Sequence, residues 1–325
     1  MAVVLNSKVR LVRNVRDFNF PSRISNGDAK EIIEKVESIA TPLGYSSIDL
    51  KNTTSIEKLK LFEDEIITGE LLKNIEFASV FLKEDSPEIL VNETDHIVIQ
   101  KSRNELNLET SFYEIMKLDD AFDGKINYAF DDEFGYLASN PLNSGCAMIP
   151  SVMMHLPAIS YYNLTDVFKK IRAKGYKIEG INKEKKKALG NIYIISPVRT
   201  IGFTEKDYIN RLNVLCASII TKELEKRQEF YLENIIELKD IVSRSYGILS
   251  NARIIDEEEM MQHFSNIFLG LELNIIKANR EIDFVETIKN FKNGHIQIER
   301  GSLLDSKSRN ILRANNIRKL MKEVF

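Results

Sequence analysis

Residue 203 divides this 325-residue sequence into two patterning regimes. Before it, short runs rich in β-branched and aromatic residues alternate with helical runs. After it, the chain reads as long helices. Strand composition marks "DHIVIQ" (95–100), "KINYAF" (125–130), "YKIEGI" (176–181) and "GNIYIISP" (190–197). "DDEFGYLAS" (131–139) begins as a hairpin turn and continues as a strand. In "GDAKEIIEKVESIA" (27–40), Ile32, Ile33, Val36 and Ile39 recur at helical spacing, with Asn26 or Asp28 placed to cap. "SVMMHLPAISYY" (151–162) and "LTDVFKKIRAKG" (164–175) also read as helices, the second stopped by Gly175. Such alternation belongs to the α/β or α+β classes. One helical tract then runs from its cap Thr204 to about residue 249; a second helix follows Asp256, and a third closes the chain after Asp305. The pattern places a mixed domain over residues 1–225 and a helical domain over 226–325, with the boundary inside a helical tract.

Composition narrows the function. Hydrophobic residues make up 43 % of the chain, which suits a packed core, and the formal net charge of −3 argues against a general nucleic-acid binder. Cys146 and Cys216 make no disulfide framework, and no Cys/His spacing suits a metal. Together with the lack of a signal peptide or an apolar span of membrane length, this points to the reducing cytoplasm, with neither nucleic acid nor membrane as partner.

Seven stretches carry a family likeness: "VVLNSKVRLVRN" (3–14), "NETDHIVIQ" (92–100), "INYAFDDEFGYLAS" (126–139), "SVMMHLPAI" (151–159), "ALGNIYIIS" (188–196), "RSYGILSNARII" (244–255) and "LGLELNII" (269–276). In order and spacing the chain resembles the ATP:guanido phosphotransferases, and among them the bacterial protein-arginine kinases. The resemblance implies an α+β fold, an antiparallel sheet flanked by helices, followed by a helical C-terminal domain. It also implies transfer of the γ-phosphoryl group of MgATP to a guanidinium nitrogen. That chemistry is demanding, because a guanidinium is cationic at physiological pH and offers no lone pair. The family meets it with two carboxylates and a cysteine around the guanidinium, and with arginines around the triphosphate.

Residue by residue, that apparatus is degraded here. The family motif Asn-Glu-Glu-Asp-His reads Asn92-Glu93-Thr94-Asp95-His96, so Thr94 stands where the base should be. The phosphate-binding arginine two residues after the histidine is Val98, and the one before the "SVMMHLP" segment is Ile149. Asn140 replaces the family cysteine, and Cys146 is out of register. Glu184 is the only acid in the stretch that corresponds to the mobile catalytic loop, "INKEKKKA" (181–188). The N-terminal Ser-Ser-Arg-x-Arg motif reads Asn6-Ser7-Lys8-Val9-Arg10, which retains Arg10 and a lysine, a weaker fork for phosphate. Each loss of this kind typically costs about 3–5 kcal/mol of barrier.

The C-terminal motif Arg-Asp-x-x-Arg-Ala, which in the kinases forms a phosphoarginine pocket, is Arg309-Asn310-Ile311-Leu312-Arg313-Ala314. Arg309 and Arg313 share a helix face and suit either an anion or a pair of salt bridges; Asn310 removes the family's acid. The run "KEKKK" (183–187) is either a solvated loop or a basic flap. His96, His155 and Cys216 read as structural.

The sequence thus implies a pseudokinase without a cofactor. It would bind an arginine-phosphorylated protein, or pair with an active arginine kinase in protein quality control or stress response, as a homo- or hetero-oligomer. The alternative is a divergent active protein-arginine kinase using MgATP, with Glu93, Asp95 or Glu184 as its acid–base groups.

Overall fold

The computed structural model describes residues 3–181 and 188–325. Its strands are β1 (Val4–Arg13), β2 (Ser46–Ile48), β3 (Ser79–Leu82), β4 (Glu88–Val91), β5 (Ile97–Asn104), β6 (Phe130–Asp131), β7 (Gly135–Tyr136), β8 (Met148–His155), β9 (Tyr176–Gly180) and β10 (Ile192–Pro197). Eight of them form one sheet in the order β2-β3-β4-β5-β1-β8-β10-β9, with every pairing antiparallel. β6 and β7 make a separate hairpin. The helices are α1 (Asn26–Ala40), α2 (Ser55–Glu63), α3 (Gly69–Lys73), α4 (Leu108–Phe122), α5 (Pro157–Tyr161), α6 (Thr165–Ala173), α7 (Glu205–Glu233), α8 (Ile235–Asn251), α9 (Glu257–Glu272), α10 (Phe284–Asn290), α11 (Asn293–Arg300) and α12 (Ser306–Val324).

The sheet is covered on both faces. Val9 and Leu11 of β1, with Ile97 and Ile99 of β5, pack against residues of α1, α4 and α7. Val12 and Val98 face the other way and meet Ile67 and Leu71, in and beside α3. A third cluster joins Leu5 and Ile192 to α8, α9, α10 and α12. At the junction, the buried Glu223 of α7 accepts from the N–H groups of Ala158 and Ile159 at 3.0 and 2.9 Å, capping α5, and pairs with Arg227 at 2.7 Å.

Four expectations are corrected. Residues 151–162 are not one helix: β8 runs through Met148–His155, and only the short α5 follows. β8 lies between β1 and β10 and is covered on both faces, so it lacks the polar alternation that marks a strand. "KINYAF" supplies an isolated bridge, Tyr128 to Val15, and the first residue of β6 rather than a strand of its own. The tract after Thr204 breaks at Asn234, which ends α7 and precedes α8. The cap of α1 is Ser25, whose Oγ accepts from the Asp28 N–H at 3.1 Å. Thr204 and Asp256 cap their helices as expected, and Asp305 caps α12. Residue 225 lies within α7, so a continuous helix crosses the expected domain boundary.

On the α4 side, Arg13 is fully buried. Its Nε and Nη2 donate to Asp119 Oδ2 at 3.1 and 2.8 Å, Tyr128 donates to Asp119 Oδ1 at 2.9 Å, and the Tyr136 ring lies 3.6 Å from the guanidinium carbon. Removing one partner strands a charge in low dielectric. Asp119→Ala should destabilise the chain by about 3–5 kcal/mol in urea unfolding.

Candidate active site

Side chains along β1 alternate between faces, so Lys8, Arg10 and Val12 share one of them. Register adds their neighbours: Arg10 lies opposite Gln100 of β5 and Ile149 of β8, and Val12 lies opposite Val98. Lys8, Arg10, Val98 and Ile149, four positions expected around a triphosphate, therefore share one patch. Asn6 lies farther along, opposite Asn104 and Met153. Ser7 turns to the opposite face, where its buried Oγ accepts from the Asn107 N–H at 2.9 Å just before α4.

Both cations of the patch are matched by acids of the same chain. Arg10 Nη2 donates to Glu93 Oε2 at 2.7 Å. Glu93 is almost fully buried; Thr68 donates to its other oxygen, and Thr94 Oγ1 donates to Oε2 at 3.1 Å. Burial alone would raise the pKa of Glu93, but the Arg10 charge and the two hydroxyls outweigh it and hold the carboxyl below the usual glutamate range. Lys8 Nζ donates to the backbone oxygen of Glu65 at 3.0 Å and pairs with its carboxylate at 3.1 Å. Gln100 Nε2 donates to the carbonyls of Glu65 and Ile66, both at 3.1 Å, which holds the turn after α2 against the sheet.

The two lost arginines have apolar surroundings. Val98 is fully buried among Val12, Ile67, Leu71, Val80, Leu90, Ala138 and Ala147, with Ile149 packed against the cluster. A triphosphate here would compete with two carboxylates for the cations and place charge against dry hydrocarbon. Lys8 and Arg10 are thus both engaged by carboxylates of the same chain.

The guanidinium side is equally occupied. Asp95 Oδ1 accepts from Asn14 Nδ2 and from the Ser139 N–H, both at 2.7 Å. Thr94 bridges Glu93 and Asp95 as a donor, 3.3 Å from the Asp95 Oδ2, where the family's base would be. Asn140 is exposed and caps a short turn by accepting from the Leu142 N–H at 3.1 Å. Burial pushes the Cys146 thiol up to about 11, so it is no thiolate at neutral pH. Glu184 and the "KEKKK" run lie outside the described residues. His96 is structural as expected: its Nδ1 accepts from the Val15 N–H at 3.0 Å and its Nε2 lies 2.8 Å from the Asn19 carbonyl. His155 closes β8 rather than sitting in a helix, with Nε2 2.7 Å from Ser265 Oγ. Sequence reading missed Glu65, Thr68 and Gln100, since no local pattern links a turn after α2 to a lysine on β1.

The C-terminal motif is brought together on α12, but not as an open fork. Arg313 is fully buried. Its Nε donates to the Phe291 carbonyl at 2.8 Å, Nη1 to the Ile255 carbonyl at 3.0 Å and to Asn310 Oδ1 at 2.7 Å, and Nη2 to Asn293 Oδ1 at 2.5 Å. Burial lowers its pKa from the usual arginine value. Asn293 in turn donates to Glu257 at 2.9 Å, so this acid reaches Arg313 through an amide. Arg309 is half-buried, with Nη1 on the Leu304 carbonyl at 2.7 Å, and Ala314 is in the core.

Comparison with known proteins agrees with this architecture. Residues 29–226 match the sequence model of the ATP:guanido phosphotransferase C-terminal catalytic domain, and residues 235–324 match that of the protein-arginine kinase McsB C-terminal domain. The protein-arginine kinase of Geobacillus stearothermophilus is 35 % identical over 328 residues, covering 98 % of this chain and 90 % of that protein. The protein-arginine kinase of Bacillus subtilis is 33 % identical, covering 97 % and 89 %. The duplicated taurocyamine kinase of Schistosoma mansoni superposes with a TM-score of 0.62 over 77 % of this chain and 39 % of that one, at 18 % identity.

Two substitutions test the assignments. A group with a depressed folded pKa contributes stability above its unfolded pKa of about 4.3 and loses it as pH falls through the folded value. Glu93→Gln should therefore cost about 1.5–3 kcal/mol at pH 7, with the difference from the parent chain shrinking below about pH 4, as followed by urea unfolding across pH. Arg313→Ala should cost about 3 kcal/mol or more, because it removes the donor from two buried carbonyls, Phe291 and Ile255, and from two part-buried amide oxygens, whereas Arg309→Ala should cost about 1 kcal/mol or less. Equal effects would return both arginines to a surface role.

Proposed function

The chain belongs to the ATP:guanido phosphotransferase family, among its protein-arginine kinases, and from that premise we propose that it is a pseudokinase that acts by binding. The observation that carries this reading is the neutralised phosphate patch: Arg10 is paired with the buried Glu93, Lys8 with Glu65, and Val98 and Ile149 belong to an apolar cluster. Phosphoryl transfer needs cations free to meet the charge that develops on the phosphoryl oxygens. It also needs a base, and Thr94 is none.

The partner proposed is an active protein-arginine kinase, whose activity this chain would modulate. Its near full-length likeness to such kinases, across both the catalytic and the C-terminal regions, supports a role within the same system. Recognition of phosphoarginine is the weaker version, because Arg313 uses its donors inside the fold.

Calorimetry with MgATP should show no saturable heat up to millimolar nucleotide. Incubation with labelled ATP and an arginine-rich protein should leave no acid-labile label. Added to an active kinase, the chain should change the rate of labelling at stoichiometric ratio. Label on arginine that disappears in Glu93→Gln or Asp95→Asn would overturn the pseudokinase reading and establish a divergent active kinase.

A further inference from the structure

A strongly uneven stretch of charge lies away from the sheet's central patch. Residues 165–188 carry nine Lys and Arg against three Asp and Glu, in a chain whose formal net charge is −3. Within the described part, Lys169, Lys170, Arg172 and Lys174 are exposed at the end of α6, and Lys177 is exposed on β9. Among the described residues only Lys169 of these is paired, with Asp166 at 3.1 Å. In sequence, Lys183, Lys185, Lys186 and Lys187 follow. The helix dipole accounts for cations in the last turn of α6, but its reach ends within that turn. Lys177 lies beyond that turn, on β9.

β9 supplies a second, independent feature. It is the edge of the sheet, and among the described residues its only strand partner is β10. The Ile181 N–H donates to the Ile192 carbonyl at 3.2 Å, and the Val198 N–H to the Gly175 carbonyl at 3.0 Å. Odd-numbered residues of the strand therefore address β10, and the backbone groups of Tyr176, Ile178 and Gly180 face outward. An outward strand edge is a template for an added strand. Lysine on such an edge hinders pairing with a neutral strand, because its charge would lose water, repels a basic strand and attracts an acidic one.

We propose that the α6–β9 edge docks an extended acidic segment of a partner protein, which adds to β9 as a further strand while its carboxylates meet Arg172, Lys174 and Lys177. A nucleic acid is the less suited polyanion. Bases need exposed aromatic faces to stack on, and Tyr176, the aromatic residue on this strand, is buried. The site is independent of phosphoryl transfer, so it stands whether or not the chain is a pseudokinase.

The test uses the full chain and a fluorescent peptide of alternating Glu and Val. Fluorescence anisotropy should report saturable binding that weakens about tenfold or more on going from low to high salt. The triple variant Arg172→Glu, Lys174→Glu, Lys177→Glu, with its melting temperature checked against the parent, should lose binding. A peptide of equal charge with Pro in place of Val has no N–H at those positions to join the strand edge and should also lose it. Absence of binding by the first peptide, binding unaffected by the triple variant, or equal binding of the Pro peptide would each overturn the proposal. Tighter binding of a single-stranded oligonucleotide than of the acidic peptide would overturn it in favour of a nucleic-acid surface.

Discussion

Strand β1, hydrogen-bonded between β5 and β8, decides the chemistry of this fold through period-two alternation. One set of its side chains, Val9, Leu11 and Arg13, faces α1 and α4, and the other, Lys8, Arg10 and Val12, faces the turn after α2. Two central neighbours in register bring Val98, Gln100 and Ile149 beside the second set. A shift of one residue would exchange the sets and bury Lys8 and Arg10 in the larger core, so register is strongly specified. The patch is therefore rigidly assembled whether or not it binds anything. Its chemistry depends on which side chains stand at the prearranged positions.

Those side chains agree with one another. Four cations around a triphosphate repel one another unless the anion is present. Here two of the four are apolar and the remaining two have acids of their own. Glu93 is buried, ionised and satisfied by Arg10, Thr68 and Thr94, so it combines with Arg10 into a neutral, hydrogen-bonded unit. Glu65 does the same for Lys8 from the turn after α2. Leaving the buried Glu93 unpaired would cost more than its pair contributes, whereas the Lys8–Glu65 pair, with Glu65 partly exposed, is held less strongly. An active site needs the opposite property, charges held in place but left for the substrate.

How much of this was legible depended on whether the signal was local. Thr204 and Asp256 cap helices as read, because a cap is defined within four residues. The expectations at Thr94, Val98, Asn140 and Ile149 rest on contiguous motifs, and register places Val98 and Ile149 together on one face. β8 was misread as a helix because a strand covered on both faces shows no alternation, and its length alone does not separate it from a short helix. Asn234 breaks α7 from α8 without Pro or Gly, so nothing in composition marks it. The clamp by Glu65 and the burial of Arg313 depend on contacts between elements distant in sequence. Arg309 and Arg313 do share a helix, but only tertiary packing shows that Arg313 is enclosed by Phe291, Asn293 and Ile255 while Arg309 stays at the rim.

Charge in this molecule is thus cancelled where the sheet is deepest and left unbalanced where the sheet ends. At β1 each cation has its acid, and the surrounding hydrocarbon makes the pairing hard to reverse. At α6 and β9 the cations are hydrated, mostly unpaired among the described residues, and next to open backbone groups. Hydrated surface charge contributes little to stability, because water already solvates it, but it attracts and orients an oppositely charged partner over a Debye length of about 8 Å. On the proposed reading, electrostatic recognition by this chain lies at the exposed edge rather than in the paired patch on β1.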